Sequence, residues 1–503
     1  MQESFKLAQV FQDHMMFQAD QPIRLFGVCQ TPSTLVVTVL NQKYQFSITP
    51  DRFLIELPVI PYQKDCFEIL IEDSIHEKIV LSDCIFGDLF IASGQSNMQF
   101  TVQEGIYDDL IETKDIRLYE VPKLPYENAH IEFPYLYSSN PKWSYATKEA
   151  ALKFSAIGFF VASELYQRHH RPIGILSCNM GDTSVFSWIK YEDIVSNQAL
   201  LPYLKTYQTE LDKYRSIEEY NERFHIQLPR LMAFYGEIEK GIKSGMPSIK
   251  SHDEAYKLYP DPYIPMGPKH YNRPAGCYET MIEQIVPLSI KGALYYQGES
   301  DHQNCEMYEE AFKTLVASWR KRFLNEQLPI IYVQIAGYNY PLTKKDAIPI
   351  VREAQGRLLS VDNHCFMVSA LDLGESQNIH PRNKTIVSNR ISNVIDEYLY
   401  HHGSHSLSPE YSSHEFLSDS TLMIKVKNND LPLKSITGNN LGFSALKEDN
   451  QWITIDNIVI NAQSILIQNA KSYREIRYAF DNDPKMDIYS NNDLPLLPFR
   501  LVL

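Results

Sequence analysis

Four short clusters hold residue types that can do chemistry together: Gly94-Gln95-Ser96-Asn97-Met98, Asn179-Met180-Gly181-Asp182-Thr183, Gln297-Gly298-Glu299-Ser300-Asp301 and Asn378-Ile379-His380-Pro381. A serine on a tight strand-to-helix turn is exposed, and the N–H groups that open the helix can stabilise an oxyanion. Ser96 fits that role; the plainer alternative is that it caps the helix. Gly181 lets a main-chain N–H approach a ligand closely, a second way to supply an oxyanion donor, with a simple turn glycine as the alternative. The side-chain amide of Gln297 is a neutral donor suited to the same oxygen, and Glu299 can hold it or a neighbouring loop in place. Glu299 with Asp301 also raises a metal site or a pair of glycosidase carboxylates. No histidine or second acid cluster is spaced to complete a metal shell, so no metal is expected.

His380 stands just ahead of a helix expected to begin near Pro381, a position rigid enough for a general base. Among 15 histidines a surface loop residue is the plain alternative. His169, His170, His401 and His402 are read that way.

The elements that must position these clusters follow from periodicity. Residues 7–82 carry short alternating or β-branched runs, such as 35–40 and 66–71, and predict a small β domain over residues 1–83. Near Cys84 the texture changes. The apolar runs 89–92, 173–176, 293–296, 330–335 and 366–371 read as strands, and they alternate with helical stretches at 156–170, 306–323 and 384–398. That alternation predicts an α/β domain over residues 84–404, with a mostly parallel sheet covered on both faces. In such sheets ligands lie beyond the carboxyl ends of the strands, where these clusters fall. Residues 191–270, rich in Glu, Lys and Tyr, read as a helical insertion. The β pattern returns at 421–426 and 458–467, giving a C-terminal β region over residues 405–503. Each terminal β region is short for a core of its own, so the two are expected to pack as one accessory body.

At 503 residues the chain exceeds what one core usually supports. It has 47 Lys and Arg against 62 Asp and Glu, and a net charge of -15 argues against a sequence-independent hold on nucleic acid. No stretch approaches the roughly 20 apolar residues of a membrane span, and residues 1–9 lack the apolar segment of a signal peptide. The seven scattered cysteines, with no Cys-x-x-Cys pair, are read as reduced thiols of a cytoplasmic protein.

Taken together, the four clusters resemble the blocks of the SGNH hydrolase superfamily, and specifically those of sialate O-acetylesterases of the bacterial type. The stretches 11–27, 272–301, 352–355 and 476–499 also read as similar, so the resemblance spans nearly the whole chain. It implies an SGNH-like doubly wound parallel sheet, with Ser96 as nucleophile and His380 as base. It also implies an oxyanion hole from the N–H groups of Ser96 and Gly181 with the Gln297 amide. No metal or organic cofactor is required, and the partner is a small acetylated sugar. Two positions depart from the pattern. Many SGNH enzymes carry an Asp three residues before the histidine, where this chain has Gln377, and many carry a second glycine after the one matched by Gly181, where it has Asp182. With no carboxylate at 377, a main-chain carbonyl is expected to orient His380, with Glu375 as second choice. An acetylated sialic acid is the leading substrate, and an acetylated xylo-oligosaccharide the competitor. Sialic acid carries a carboxylate, for which Arg352 and Arg382 are the candidate partners, although a structural ion pair is the plainer use of either. A reading of another class is a carbohydrate-binding protein on an esterase scaffold.

Overall fold

The computed structural model describes residues 5–503, apart from 75–76, 134–140, 247, 341–342, 360–361, 418–419, 429 and 440–441. The chain divides into two compact units: Met1–Leu228 with Ile264–Gln297 and Glu310–Ile330, and Pro229–Tyr263 with Gly298–Glu309 and Ile331–Leu503.

The first unit begins with antiparallel strands. Phe5–Leu7, Ile23–Cys29 and Asp51–Leu57 form one sheet, and Ser33–Val39 pairs with both Gln42–Ile48 and Phe67–Glu72. The alternation read over residues 35–40 places Leu35, Val37 and Val39 in the core, each buried side chain stabilising by about 1.5–3 kcal/mol. The expected domain boundary at residues 83/84 falls inside one strand, Lys78–Gly94, of 17 residues. Its first part pairs antiparallel with Phe67–Glu72, and its last part pairs parallel with Ile173–Asn179 and Gly292–Tyr296. The strand thus runs from the N-terminal β region into the central sheet with no linker between them.

Within this unit the central sheet runs Trp143–Ala146, Thr113–Glu120, Ile173–Asn179, Lys78–Gly94, Gly292–Tyr296. The first pair is antiparallel and the others parallel, so the sheet is mixed. Every residue of Ile173–Asn179 and Gly292–Tyr296 is buried, which explains why they read as unbroken apolar runs. Helix Ala156–His169 starts where Ser155 Oγ accepts the Gly158 N–H, and it ends at His170 in the left-handed conformation. The expected insertion is helical. It comprises Tyr191–Ser196, Leu201–Leu211, Ile217–Lys243 and Ser248–Leu258, and the division between the units falls within its longest helix.

In the second unit the strands Ile330–Gln334 and Cys365–Ser369 are neighbours and wholly buried. Helices Ala347–Leu358 and Thr385–Leu399 follow them in turn. The helix expected to begin near Pro381 starts four residues later. Asn383 Oδ1, not the proline, meets the first-turn N–H and hydroxyl of Thr385. The C-terminal β region forms two four-stranded antiparallel sheets and a two-stranded one. Its buried residues, Leu422, Ile424, Phe443, Ile465, Ile476 and Leu496 among others, gather in one cluster together with Leu371. Among the described residues no helix is long and apolar enough to cross a membrane.

Candidate active site

Three adjacent parallel strands of the first unit end level with one another. Gly94 stands opposite Asn179 on one side and Tyr296 on the other, so Ser96, Gly181 and Gln297 each lie one or two residues past the same line. Gly94 is required at the turn: its φ is +126°, and a Cβ there would lie 2.1 Å from the Tyr296 carbonyl oxygen. The turn is knit to both flanking strands. The Gln95 N–H donates to the Tyr296 carbonyl at 2.9 Å, and the Met180 N–H donates to the Gly94 carbonyl at 3.1 Å.

Ser96 opens the short helix Ser96–Gln99 as its first helical residue, and the cap position belongs to Gln95. The capping alternative for Ser96 therefore falls away. Ser96 is partly exposed, whereas Gln95, Asn97 and Met98 are buried. The turn is tied to the next helix by Ser155 Oγ, which donates to the Met98 carbonyl at 2.6 Å, and by the Ala156 N–H, which donates to the Phe100 carbonyl at 2.8 Å.

Gly181 faces the serine turn, where a Cβ would lie in ordinary contact, 3.4 Å from Gln99 Oε1 and 3.6 Å from the Cβ of Ser96. Its N–H donates to Gln99 Oε1 at 2.6 Å. The loop that carries it is held from three directions. Gln297, fully buried, donates its amide to the Thr183 carbonyl at 3.0 Å. Trp188 Nε1 donates to Thr183 Oγ1, whose hydroxyl donates to the Met180 carbonyl. Asn272 accepts the Ser184 N–H and donates to the Asp182 carbonyl, both at 2.7 Å. The Asn272 N–H itself donates to Nδ1 of His270, whose pKa burial pushes down to about 3, with the Arg273 charge adding to the effect. Asp182 adopts φ +65° and is exposed.

The second unit holds the remaining expected residues. Glu299 and Asp301 are buried in the 3-10 segment Glu299–Met307. Arg352 is fully buried and spends its guanidinium on four main-chain carbonyls, those of Ile335, Ala336, Asp481 and Asn482, at 2.6–3.0 Å. It therefore presents no exposed surface to a ligand. Arg382 is exposed.

His380 sits in a turn held by Glu375. One carboxylate oxygen accepts the Arg382 N–H at 2.7 Å and the other the Asn378 amide at 3.2 Å. Asn378 Oδ1 in turn accepts the His380 N–H at 3.1 Å. Glu375 thus acts on the turn and, through Asn378, on the backbone of His380. Gln377 is exposed, while Asp372 is committed to Arg390 in a buried bidentate pair at 2.7 and 2.8 Å. Burial, then the Lys384 ammonium and His252, push the pKa of His380 down to about 3. The imidazole is neutral at ordinary pH, the state a general base needs. Among the described residues no group of His, Cys, Asp or Glu is placed to hold a metal ion.

Residues 267–389 match the family described as carbohydrate esterase, sialic acid-specific acetylesterase. The chain is similar to the sialate O-acetylesterase of Rattus norvegicus, 25% identical over 354 residues, which cover 65% of this chain and 59% of the rat protein. It is also similar to the sialate O-acetylesterase of Homo sapiens, 22% identical over 430 residues, 77% of this chain and 69% of the human one. In three dimensions it shares the fold of a carbohydrate acetylesterase from Xanthomonas citri, with a TM-score of 0.74 over 99% of both chains at 18% identity.

The family match contains Gln297, Glu299, Arg352, Glu375, Gln377 and His380. Ser96 and Gly181 lie outside it and stand on the geometry of the strand ends. Sequence reasoning missed Gln99 and Trp188, and it gave no holding role to Thr183, within the second cluster, or to Asn272, at the start of the stretch 272–301. Only the polar character of Gln99 and Asn272, each beside a recognised cluster, hinted at them.

Proposed function

We propose that this chain is a carbohydrate O-acetylesterase of the SGNH type, in which Ser96 attacks the acetyl carbonyl and His380 takes the serine proton. The resulting acetyl-enzyme is cleaved by water, with the same imidazole as base. The tetrahedral oxyanion is held by the N–H groups of Ser96 and Gly181 and by the Gln297 amide, each donor being worth ~3 kcal/mol of barrier lowering. The observation that carries this reading is the level ending of three adjacent strands, which gathers a partly exposed serine, a glycine in contact range of it and a buried amide donor.

The similarity to sialate O-acetylesterases makes acetylated sialic acids the first substrates to assay. One observation favours neutral acetylated sugars instead: the Asp182 carboxylate is exposed directly after Gly181, while Arg352 is wholly engaged with carbonyls. A carboxylate at that loop accepts hydrogen bonds from sugar hydroxyls and repels the acid group of a sialic acid. Acetate release should be compared across acetylated sialic acids and acetylated xylo-oligosaccharides, with Ser96→Ala as the blank and Asp182→Gly as the specificity variant. A gain on sialates in Asp182→Gly supports the second reading. Folded protein that releases no acetate from any ester favours a carbohydrate-binding protein on an esterase scaffold.

A further inference from the structure

The amide oxygen of Gln99 occupies the donor that a substrate oxygen needs. Gln99 lies three residues after Ser96, so their side chains share one face of the helical turn, and both are partly exposed. Gln99 Oε1 accepts the Gly181 N–H at 2.6 Å, and a Cβ on Gly181 would lie 3.4 Å from that oxygen and 3.6 Å from the Cβ of Ser96. A main-chain N–H reserved for an oxyanion is costly to leave unpaired at rest. A main-chain carbonyl would satisfy it permanently. A glutamine side chain satisfies it and withdraws by rotation of its own torsions.

Building on the esterase reading of this site, we propose that Gln99 is the resting occupant of the Gly181 oxyanion donor and is displaced by the ester carbonyl oxygen when substrate binds. Gln99 acts through Gly181 and is a positioning residue. Leucine at 99 keeps the size and removes the competing acceptor. Glutamate at 99 sets a stronger, charged acceptor on the donor, and its charge opposes the oxyanion that develops beside it.

The test is kcat and KM for an aryl acetate, measured on the full chain, in wild type, Gln99→Leu and Gln99→Glu across a pH series. Gln99→Leu is expected to lower KM by about 2- to 10-fold, the range a single neutral hydrogen bond spans, with kcat little changed. Gln99→Glu is expected to lose about 100-fold in kcat/KM near neutral pH, and the loss relative to wild type should shrink as the pH falls toward the carboxyl range near about 4. Asp182, the acid on the same loop, is present in every variant and cancels in that ratio. An unchanged or raised KM in Gln99→Leu overturns the proposal, and so does a Gln99→Glu loss that is equal at every pH. A wild-type chain that hydrolyses no acetyl ester overturns the esterase reading and this proposal with it. Normal wild-type turnover with either adverse variant result overturns this proposal alone.

Discussion

Around Ser96 the backbone does the holding: a glycine that no other residue can replace, main-chain bonds to two flanking strands, and buried neighbours on either side of the serine. Around His380 side chains share it with the main-chain bond from the Asn378 N–H to the Glu375 carbonyl: Glu375 bridges the Asn378 amide and the Arg382 N–H, and Asn378 carries the His380 N–H. On the proposed mechanism, a nucleophile fixed by sheet register depends on few side chains besides itself, the Ser155 hydroxyl on the Met98 carbonyl being one. A base fixed by a carboxylate and an amide depends on both. Substitutions near the serine should therefore separate cleanly into chemical and structural ones, whereas substitutions near the histidine should mix the two.

The largest effects test the serine side. Ser96→Ala should cost at least about a thousandfold in kcat while leaving the melting temperature nearly unchanged, because only the nucleophilic oxygen is lost. Gly94→Ala should do the reverse. Its Cβ would meet the Tyr296 carbonyl at 2.1 Å, so the fold should lose about 3 kcal/mol or more, read as soluble yield and denaturant midpoint. If Ser96→Ala unfolds the chain, or Gly94→Ala leaves it stable, the comparison fails on this side.

Next in size is Glu375. In Glu375→Ala the Arg382 N–H and the Asn378 amide both lose their acceptor, and the turn under His380 loosens. A loss of about 10- to 100-fold in kcat with little change in KM is expected, since misplacing a catalytic group by about 1 Å has that scale. Glu375→Gln, which keeps one acceptor oxygen, should recover much of it. Full activity in Glu375→Ala would show that main chain holds this turn as well.

How far the sequence foretold these two regions differs for the same reason. Strand ends marked by buried apolar runs put Ser96, Gly181 and Gln297 just past three level strands, because local periodicity reports a central parallel strand. For the helix after His380 the periodic stretch 384–398 agrees with the observed Thr385–Leu399, whereas the start signal read at Pro381 does not, since Pro381 fits a first helical turn only in isolation and Asn383 accepts the Thr385 N–H. The change of texture near Cys84 falls midway along one continuous strand, a continuity that composition alone does not report. Arg352 shows the deeper limit. Nothing local distinguishes an arginine in a crevice from one that closes on carbonyls 129 and 130 residues away. Gln99 and Gly181, 82 residues apart, met for the same unlocal reason.

The depressed pKa of His380, about 3, predicts an acid limb of kcat/KM far below the usual histidine value. Between about pH 5 and 7 the rate should fall by less than about twofold, where an unperturbed imidazole at about 6.5 would lose most of it. Stability carries the opposite mark. The unfolded imidazole takes a proton below about 6.5 and the native one does not until about 3, so this group lowers stability progressively as pH falls through that window. A rate profile with its midpoint near 6.5 would mean that the burial and the Lys384 charge around His380 do not act on it as described.

The smallest effect belongs to Gln377, and it asks whether a side chain at that position matters at all. Gln377 is exposed, its amide oxygen is a neutral acceptor, and the main-chain carbonyl of residue 377 survives any substitution there. Asp372, the next carboxylate before Glu375 in sequence, is already paired with Arg390. Gln377→Ala should therefore lower kcat by no more than about threefold, the scale of a single weak neutral contact. Gln377→Asp, which restores the residue many SGNH enzymes carry there, is the sharper experiment. A carboxylate that reaches the imidazole steadies the imidazolium, so it would raise both the activity and the pH of the acid limb. If Gln377→Asp moves neither, the turn does not bring position 377 to the ring, and Glu375 acts only through the backbone it ties. A collapse in Gln377→Ala equal to that of His380→Ala would instead make the side chain of 377 the orienter and leave the Glu375 network a support for it.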